Sequence, residues 1–285
     1  MDQNASSGYY IVVSPRFVNS SAWGSATGVA ILHYSKSQGP ASGPLPDLPN
    51  ENDPYFSMNQ ARSISGEFFR WNVSVSAARP NPQGSFKYGQ ITVTDVYVIL
   101  NRPLELIDGK WWTTLNGISY LPPSTPLTLA QQFNIPGVYK LDFPNKLMNR
   151  PPKIDTSLIN GTYIGFMEII FQNNDTTVQS YHLDGYAFFV VGMDFRAWTE
   201  NSRVTYNKWD GVACCTTQVF PRAWTAILVS LDNAGNWNLR AENLDSWYLG
   251  QEVHLNVLNT ENDSDERGSF AWQCNILWLT FILTN

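Results

Sequence analysis

The sequence is poor in the groups that do covalent and metal chemistry. Three histidines and three cysteines occur in 285 residues, and Asp, Glu, Lys and Arg together make up only 15%. No G-x-S-x-G occurs, and three histidines leave few general bases, so nucleophilic catalysis has little support. No C-x-x-C spacing occurs, which argues against a structural zinc site. No glycine-rich phosphate loop follows a strand. Basic charge is short as well: 18 Lys and Arg face 24 Asp and Glu, for a net charge of -6. That balance argues against a nucleic-acid partner, whose phosphates need a basic face.

Long apolar runs are also missing until the last residues, where FAWQCNILWLTFIL (270–283) follows the polar ENDSDERGS. Fourteen residues are too few for a membrane-spanning helix. Small residues (Gly268, Ser269) precede the run, as in a lipid-anchor signal, but the polar spacer of such a signal is missing. A membrane is therefore expected as a partner only if a lipid anchor exists, and residues 260–285 read as an atypical tail.

Aromatics are abundant, with 11 Trp, 13 Tyr and 15 Phe. Most are expected to fill a core. The stretches GYYIVVSPRFV, GVAILHY, ITVTDVYVIL, TYIGFMEIIF, YAFFVVGM and WTAILVSL read as strands. In QEVHLNVLN, Val253, Leu255 and Val257 alternate with Glu252, His254 and Asn256, the period of a half-buried strand. A short helix is expected only around TPLTLAQQF. Strands at this spacing, broken by Gly, Pro and Asn, give an all-β sandwich. The Pro- and Gly-rich SQGPASGPLPDLPNENDP lies in an expected linker, 38–66, between a partial domain, 1–37, and a complete sandwich, 67–259.

Six N-x-S/T sequons, at Asn4, Asn19, Asn72, Asn160, Asn174 and Asn262, favour a secreted glycoprotein. The opening MDQNASSGYY carries no signal-peptide pattern, so a preceding N-terminal part is expected. Cys214 and Cys215 are adjacent, where a mutual disulfide is strained, and Cys274 lies in the tail. Either a free thiol or a partner on another segment is expected.

Two stretches, QSYHLDGY (179–186) and RAENLDSWYLGQ (240–251), resemble the copper motifs of the third cupredoxin domain of multicopper oxidases. In that family they read H-P-x-H-L-H-G-H and H-C-H-x-x-x-H-x-x-x-G-M. His182, Leu183, Gly185, Trp237 and Gly250 keep the frame, and KWWTTLNGISYLPPSTP and ARPNPQGSFKYG extend the likeness. Together these phrases are similar to the plant ascorbate-oxidase-like and monocopper-oxidase-like proteins, the skewed-growth and pollen-specific group. The resemblance implies a cupredoxin-type Greek-key sandwich, formed by a third domain and the end of a second. The first domain, which supplies the other ligands of the family's copper cluster, is expected to be missing.

Carried over position by position, the ligands of the mononuclear copper become Gln179, Ala241, Ser246 and Gln251. Blue copper needs a thiolate and two imidazoles, so no copper is expected there. The positions of the trinuclear cluster become His182, Asp184, Arg240 and Glu242. A guanidinium cannot ligate a cation, which leaves His182 as a remnant. Three readings of this second set stand open: an ion cluster with Arg240 between two acids, a merely solvated sandwich end, or another metal on His182, Asp184 and Glu242. His33 and His254 are expected to be structural or surface residues.

The resemblance implies a cell-surface or cell-wall protein with a part in directional cell expansion or pollen-tube growth. Two alternatives remain. One is a copper oxidoreductase acting on a small reductant with oxygen. The other is a module binding wall polysaccharide through Trp111, Trp112, Trp247 and Tyr248, residues that packing would also explain. A wall protein is the further partner in view.

Overall fold

A computed structural model describes residues 7–17, 27–37, 39–50, 52–63, 91–208 and 212–259. Four of the sequons (Asn4, Asn19, Asn72, Asn262), Cys274, the ARPNPQGSFKYG stretch and the tail lie outside them. The chain divides between Gln60 and Ala61 into two compact units.

In the first unit, β1 (Tyr9–Val13) pairs antiparallel with β2 (Gly28–Leu32). Part of the expected linker is a helix, Pro54–Ser63. Its start is written in the sequence: the Asp53 carboxylate accepts from the Tyr55 and Phe56 amides at 2.9 and 3.2 Å, and Pro54 supplies a first residue that needs no N–H partner. Arg16 fastens this start by donating to Ser57 Oγ at 2.6 Å and to the Asp53 carbonyl at 3.0 Å.

The second unit is all-β in its framework. Its described strands are β3 (Asp95–Ile107), β4 (Lys110–Leu115), β5 (Ile118–Tyr120), β6 (Lys153–Asp155), β7 (Ile159–Thr162), β8 (Phe166–Asn173), β9 (Gln179–Leu183), β10 (Phe188–Phe195), β11 (Val212–Cys214), β12 (Thr216–Val219), β13 (Ala223–Ser230), β14 (Gly235–Ala241) and β15 (Glu252–Leu258). Among the described residues they form two sheets, in the orders β11-β10-β13-β8-β3-β4-β5-β6 and β12-β9-β14-β15-β7. The inner faces meet in one core. Ile169, Phe171, Phe188, Ile227 and Val229 come from the first sheet, and Tyr181, Leu183, Leu239, Val253, Leu255 and Val257 from the second.

Burial explains the strand sequences. AWTAILVS is apolar nearly throughout because β13 is covered on both faces. One face meets the main core; the other carries Trp224, Ala226 and Leu228 into a second cluster with Ile170 and Val191. On β15, Val253, Leu255 and Val257 are buried as the alternation requires. Asn256, on the opposite face, is also fully buried, with its amide nitrogen donating to Asn236 Oδ1 at 2.7 Å.

Helical content exceeds the sequence reading. The segment around TPLTLAQQF is helical over Leu127–Gln132, and a further short helix spans Leu244–Tyr248. Neither is long enough to show a periodic apolar face, so the second escaped a reading by pattern. No described helix is long and apolar enough to cross a membrane.

One charge is buried deep in this unit. Glu168, 1% exposed, accepts from Arg203 Nε at 2.9 Å and pairs with Nη2 at 2.8 Å. Trp198 lies beneath that guanidinium at 4.8 Å and donates its indole N–H to the Tyr206 hydroxyl at 2.8 Å. Losing the arginine would leave the carboxylate with the neutral Tyr206 hydroxyl beside it and no positive charge to compensate it. Arg203→Ala is expected to lower stability by about 3 kcal/mol in urea denaturation. Much of that loss should return in the double variant Glu168→Gln/Arg203→Met.

Candidate functional site

Strand register brings the two copper-motif stretches together. In the five-stranded sheet His182 stands opposite both Thr216 and Arg240, and Arg240 stands opposite Glu252. These residues therefore share one row on the outer face, while Tyr181, Leu183, Leu239 and Ala241 point into the core.

The retained frame residues have clear physical roles. Gly185 turns the chain after β9 at φ +76°, and a Cβ there would sit 2.0 Å from the Trp237 ring. Trp237 in turn donates to the Asn233 carbonyl at 2.9 Å, and Asn233 donates to the Gly185 carbonyl at 3.0 Å. Tyr186 stacks edge-on to Trp237 at 5.9 Å. Gly250, at φ +106°, closes the second stretch, where a Cβ would sit 2.0 Å from Ser119 Oγ. Asn243 caps the helix between, accepting from the Asp245 and Ser246 amides at 3.1 and 3.4 Å.

His182, Asp184, Arg240 and Glu242 form one connected set. His182 Nδ1 meets Thr216 Oγ1 at 2.7 Å, and its Nε2 meets Asp184 Oδ1 at 2.9 Å. The other Asp184 oxygen accepts from Arg240 Nη1 at 3.0 Å, and Glu242 lies 3.7 Å from Nη2. The Arg240 guanidinium also rests 5.2 Å above Trp247. Arg240 thus stands between the acids, paired with Asp184 and lying near Glu242. Among the described residues, no group of three or more His, Cys, Asp or Glu side chains is arranged to hold a metal ion.

The other four positions meet at a second place. Gln179, Ser246 and Gln251 all border one cavity of about 400 Å³, also lined by Pro103, Leu104, Thr113, Asp175, Asp245, Tyr248 and Leu249. Ala241 is fully buried, and its amide donates to the Gln251 carbonyl at 3.0 Å. The side chains of these four positions offer amide oxygens, a hydroxyl and a methyl group. Such a set does not fit blue copper, which needs thiolate and imidazole donors.

Gln179 and Gln251 are 3% and 1% exposed. Gln179 Nε2 lies 3.2 Å from Thr177 Oγ1 and 3.5 Å from Asp175 Oδ2, and Gln251 Nε2 donates to the Arg102 carbonyl at 3.3 Å. The Asp175 and Arg102 oxygens accept only, which fixes both amides with nitrogen toward them. Each amide oxygen is then buried without a partner among the described residues. Sequence reasoning named these two positions as lost ligands. It had no signal for the unpaired oxygens, nor for Asp175 and Asp245 beside them.

The remaining candidates are scattered. His33 is exposed. His254 Nε2 meets Glu252 at 3.1 Å, and its ring lies 5.0 Å from that of Tyr120. The packing role weighed for the four aromatics does not hold for all of them. Trp111 and Tyr248 are 59% and 87% exposed, whereas Trp247 is held by Glu252, accepting its indole N–H at 2.6 Å. Asn160 and Asn174 are both exposed. Among the described residues Cys214 and Cys215 have no disulfide partner, and the second is exposed.

Residues 124–263 match the family model of a multicopper oxidase domain. The chain is 61% identical to the monocopper oxidase-like protein SKU5 of Arabidopsis thaliana, over 98% of its own length and 46% of that relative. It is 55% identical to the monocopper oxidase-like protein SKS2 of the same plant, over 92% and 44%. The L-ascorbate oxidase homolog of Nicotiana tabacum is 42% identical over 88% and 45%. The chain thus spans about half the length of the curated relatives it matches. Among solved structures, Fet3p, a multicopper oxidase that functions in iron import, superposes with a TM-score of 0.56 at 14% identity, over 95% of this chain and 49% of that one. The laccase of Botrytis aclada gives 0.51 at 14%, over 90% and 41%. These likenesses show the fold, a cupredoxin-type β-sandwich.

Two outcomes test the site as described. Arg240→Ala should cost only about 1 kcal/mol or less in urea denaturation, because its ion pairs are half-exposed. Burial, with the neighbouring Cys215, pushes the Cys214 thiol up. At mildly alkaline pH Cys214 therefore holds less thiolate than an ordinary cysteine, and iodoacetamide mapping should find it modified more slowly than Cys215.

Proposed function

We propose, for a chain that belongs among the multicopper oxidase-like proteins, a role without copper redox chemistry: a glycoprotein of the plant cell surface or wall that acts by binding. The observation that carries this reading is the donor set around Ala241. A methyl group lies in the apolar core at the position of the thiolate, and glutamine and serine stand at the other three. An electron relay from a small reductant begins at that copper, so without it the oxidase cycle has no entry point.

Placement outside the cell rests on the sequons. Asn160 and Asn174 expose their side chains, as glycan acceptors must. A part in directional cell expansion or pollen-tube growth rests on the resemblance to the skewed-growth and pollen-specific group. Partners are sought among wall polysaccharides and wall proteins, with nucleic acid set aside by the net charge of -6. Attachment to a membrane would need a lipid anchor.

Copper content per chain, by elemental mass spectrometry on protein secreted from plant cells, tests the reading. No copper and no blue absorption band is the expected result. One copper or more per chain would restore the competing oxidoreductase reading, in which a small reductant is oxidised with oxygen. The exposure of Trp111 and Tyr248 favours a second reading, wall-polysaccharide binding on their rings. Glycan-array binding that persists after both are changed to Ala would remove it.

A further inference from the structure

Positive charge is scarce in this chain, yet it gathers at one place. Four of its 18 Lys and Arg (Lys140, Lys146, Arg150 and Lys153) fall within residues 140–153, where Asp142 is the one acid. The segment carries an excess of three positive charges in a chain of net charge -6. The fold brings the two ends of the segment together. Lys140 Nζ and Lys153 Nζ both meet one oxygen of Asp155, Oδ2, at 2.9 and 2.6 Å. One carboxylate between two ammonium groups leaves a positive charge uncompensated, and both lysine side chains remain half or more exposed. Lys146 and Arg150 are exposed too, and among the described residues neither joins an ion pair.

The stretch between the two lysines is neither helix nor strand, yet it is held in place. The Asn145 carbonyl accepts from the Val98 amide at 2.7 Å, the Pro144 carbonyl accepts from Asn116 Nδ2 at 2.9 Å, and the Lys153 amide donates to the Gly117 carbonyl at 3.0 Å. Leu147 Cδ1 lies 3.9 Å from where a Cβ of Gly117 would stand. Lys153 and the neighbour of Lys146 are thus tied to one turn, the one joining β4 to β5, with Arg150 on the short span between. Protection of a sheet edge explains Lys153, because β6 is the edge of the larger sheet. It does not explain Lys146 and Arg150, which lie in no strand.

The chemistry narrows the partner. Each exposed cation contributes little alone, because water and salt screen it. Several on one pinned loop favour a ligand that repeats its anions along a chain, since weak contacts then act together. An anionic membrane fits less well: surface binding to lipid buries the apolar face of an amphipathic helix, and residues 141–152 form none. We propose that the 140–153 segment binds a polyuronate, a polysaccharide with a carboxylate on each sugar. Lys146 and Arg150 meet successive carboxylates, and Lys140 and Lys153 supply positive charge beside them. The inference deepens the reading of a wall protein that acts by binding, and rests on it. It uses charge where the reading on Trp111 and Tyr248 uses rings.

Calorimetric titration of the full chain with size-fractionated oligogalacturonate tests the assignment, in EDTA so that no calcium bridges the carboxylates. The comparison ligands are the fully methyl-esterified oligomer, poly-glutamate, and phosphatidylcholine vesicles containing phosphatidylserine. The expected result is binding of the acidic oligomer that weakens between about 20 and 300 mM NaCl, with the neutral ester inactive. Lys146→Gln/Arg150→Gln should weaken binding by roughly fivefold or more, and Lys140→Gln/Lys153→Gln should weaken it as well. The first variant breaks no described ion pair, so it reads the patch even if the second loosens the fold around Asp155. Arg196→Gln/Arg222→Gln removes the same charge from exposed residues beside β10 and β13, at the other side of the larger sheet, and should leave binding unchanged.

Equal binding of the ester, binding of poly-glutamate or of the vesicles as tight as that of the oligomer, or an affinity that follows net charge alone across the variants would each overturn the proposal. Copper is assayed in the same sample. Copper there would overturn the copper-free reading, whereas a copper-free sample that binds no oligogalacturonate would overturn this inference alone.

Discussion

One register governs the functional end of the sandwich. His182 opposite Arg240, and Arg240 opposite Glu252, sets which face each residue of β9, β14 and β15 presents. A slip by one residue would turn Leu239 and Val253 outward and drive Arg240 into the core. The apolar face therefore enforces the register, and the polar row follows. The ion pairs do not position the strands; the buried row of Tyr181, Leu183, Leu239 and Ala241 does. For this reason the geometry of this end of the sheet does not depend on which polar residues occupy the outer row. Gly185 and Trp237 serve the fold whether or not anything is bound beside them.

The two charged clusters of the second unit show how burial changes the weight of an ion pair. Glu168 is buried and receives its compensation from Arg203, whose guanidinium reaches it from a partly exposed position. Asp184, Arg240 and Glu242 meet at a half-exposed surface, where solvent screens much of the attraction. The first pair supports the sandwich. The second shapes a surface patch, with Trp247 beneath the guanidinium adding a stacking contact of roughly 0.5–1 kcal/mol.

Much of this was legible in the sequence. The alternation in QEVHLNVLN pointed to β15 and its buried valines, and the apolar run WTAILVSL to β13, an interior strand of the larger sheet. The motif frame placed His182, Asp184, Arg240 and Glu242 at one location, and the structure holds them within hydrogen-bonding or ion-pair distance. Other features could not be read from pattern. The helix Pro54–Ser63 sits in a stretch whose composition signals a linker, and only the Asp53–Pro54 cap announces it. The burial of Asn256 depends on a partner twenty residues away, Asn236. The unpaired oxygens of Gln179 and Gln251 depend on where their amide nitrogens go, which is a tertiary fact.

Arg240 has one more consequence. A metal ion held by Asp184 and Glu242 would be a dissociable component, stabilising in proportion to its free concentration. A guanidinium on the same polypeptide has no dissociation equilibrium of that kind. It is present at a fixed one-to-one ratio from the moment the chain is made, and no chelator or competing ion can strip it. The charge compensation of these acids is therefore inherited with the sequence and independent of the metal supply around the protein.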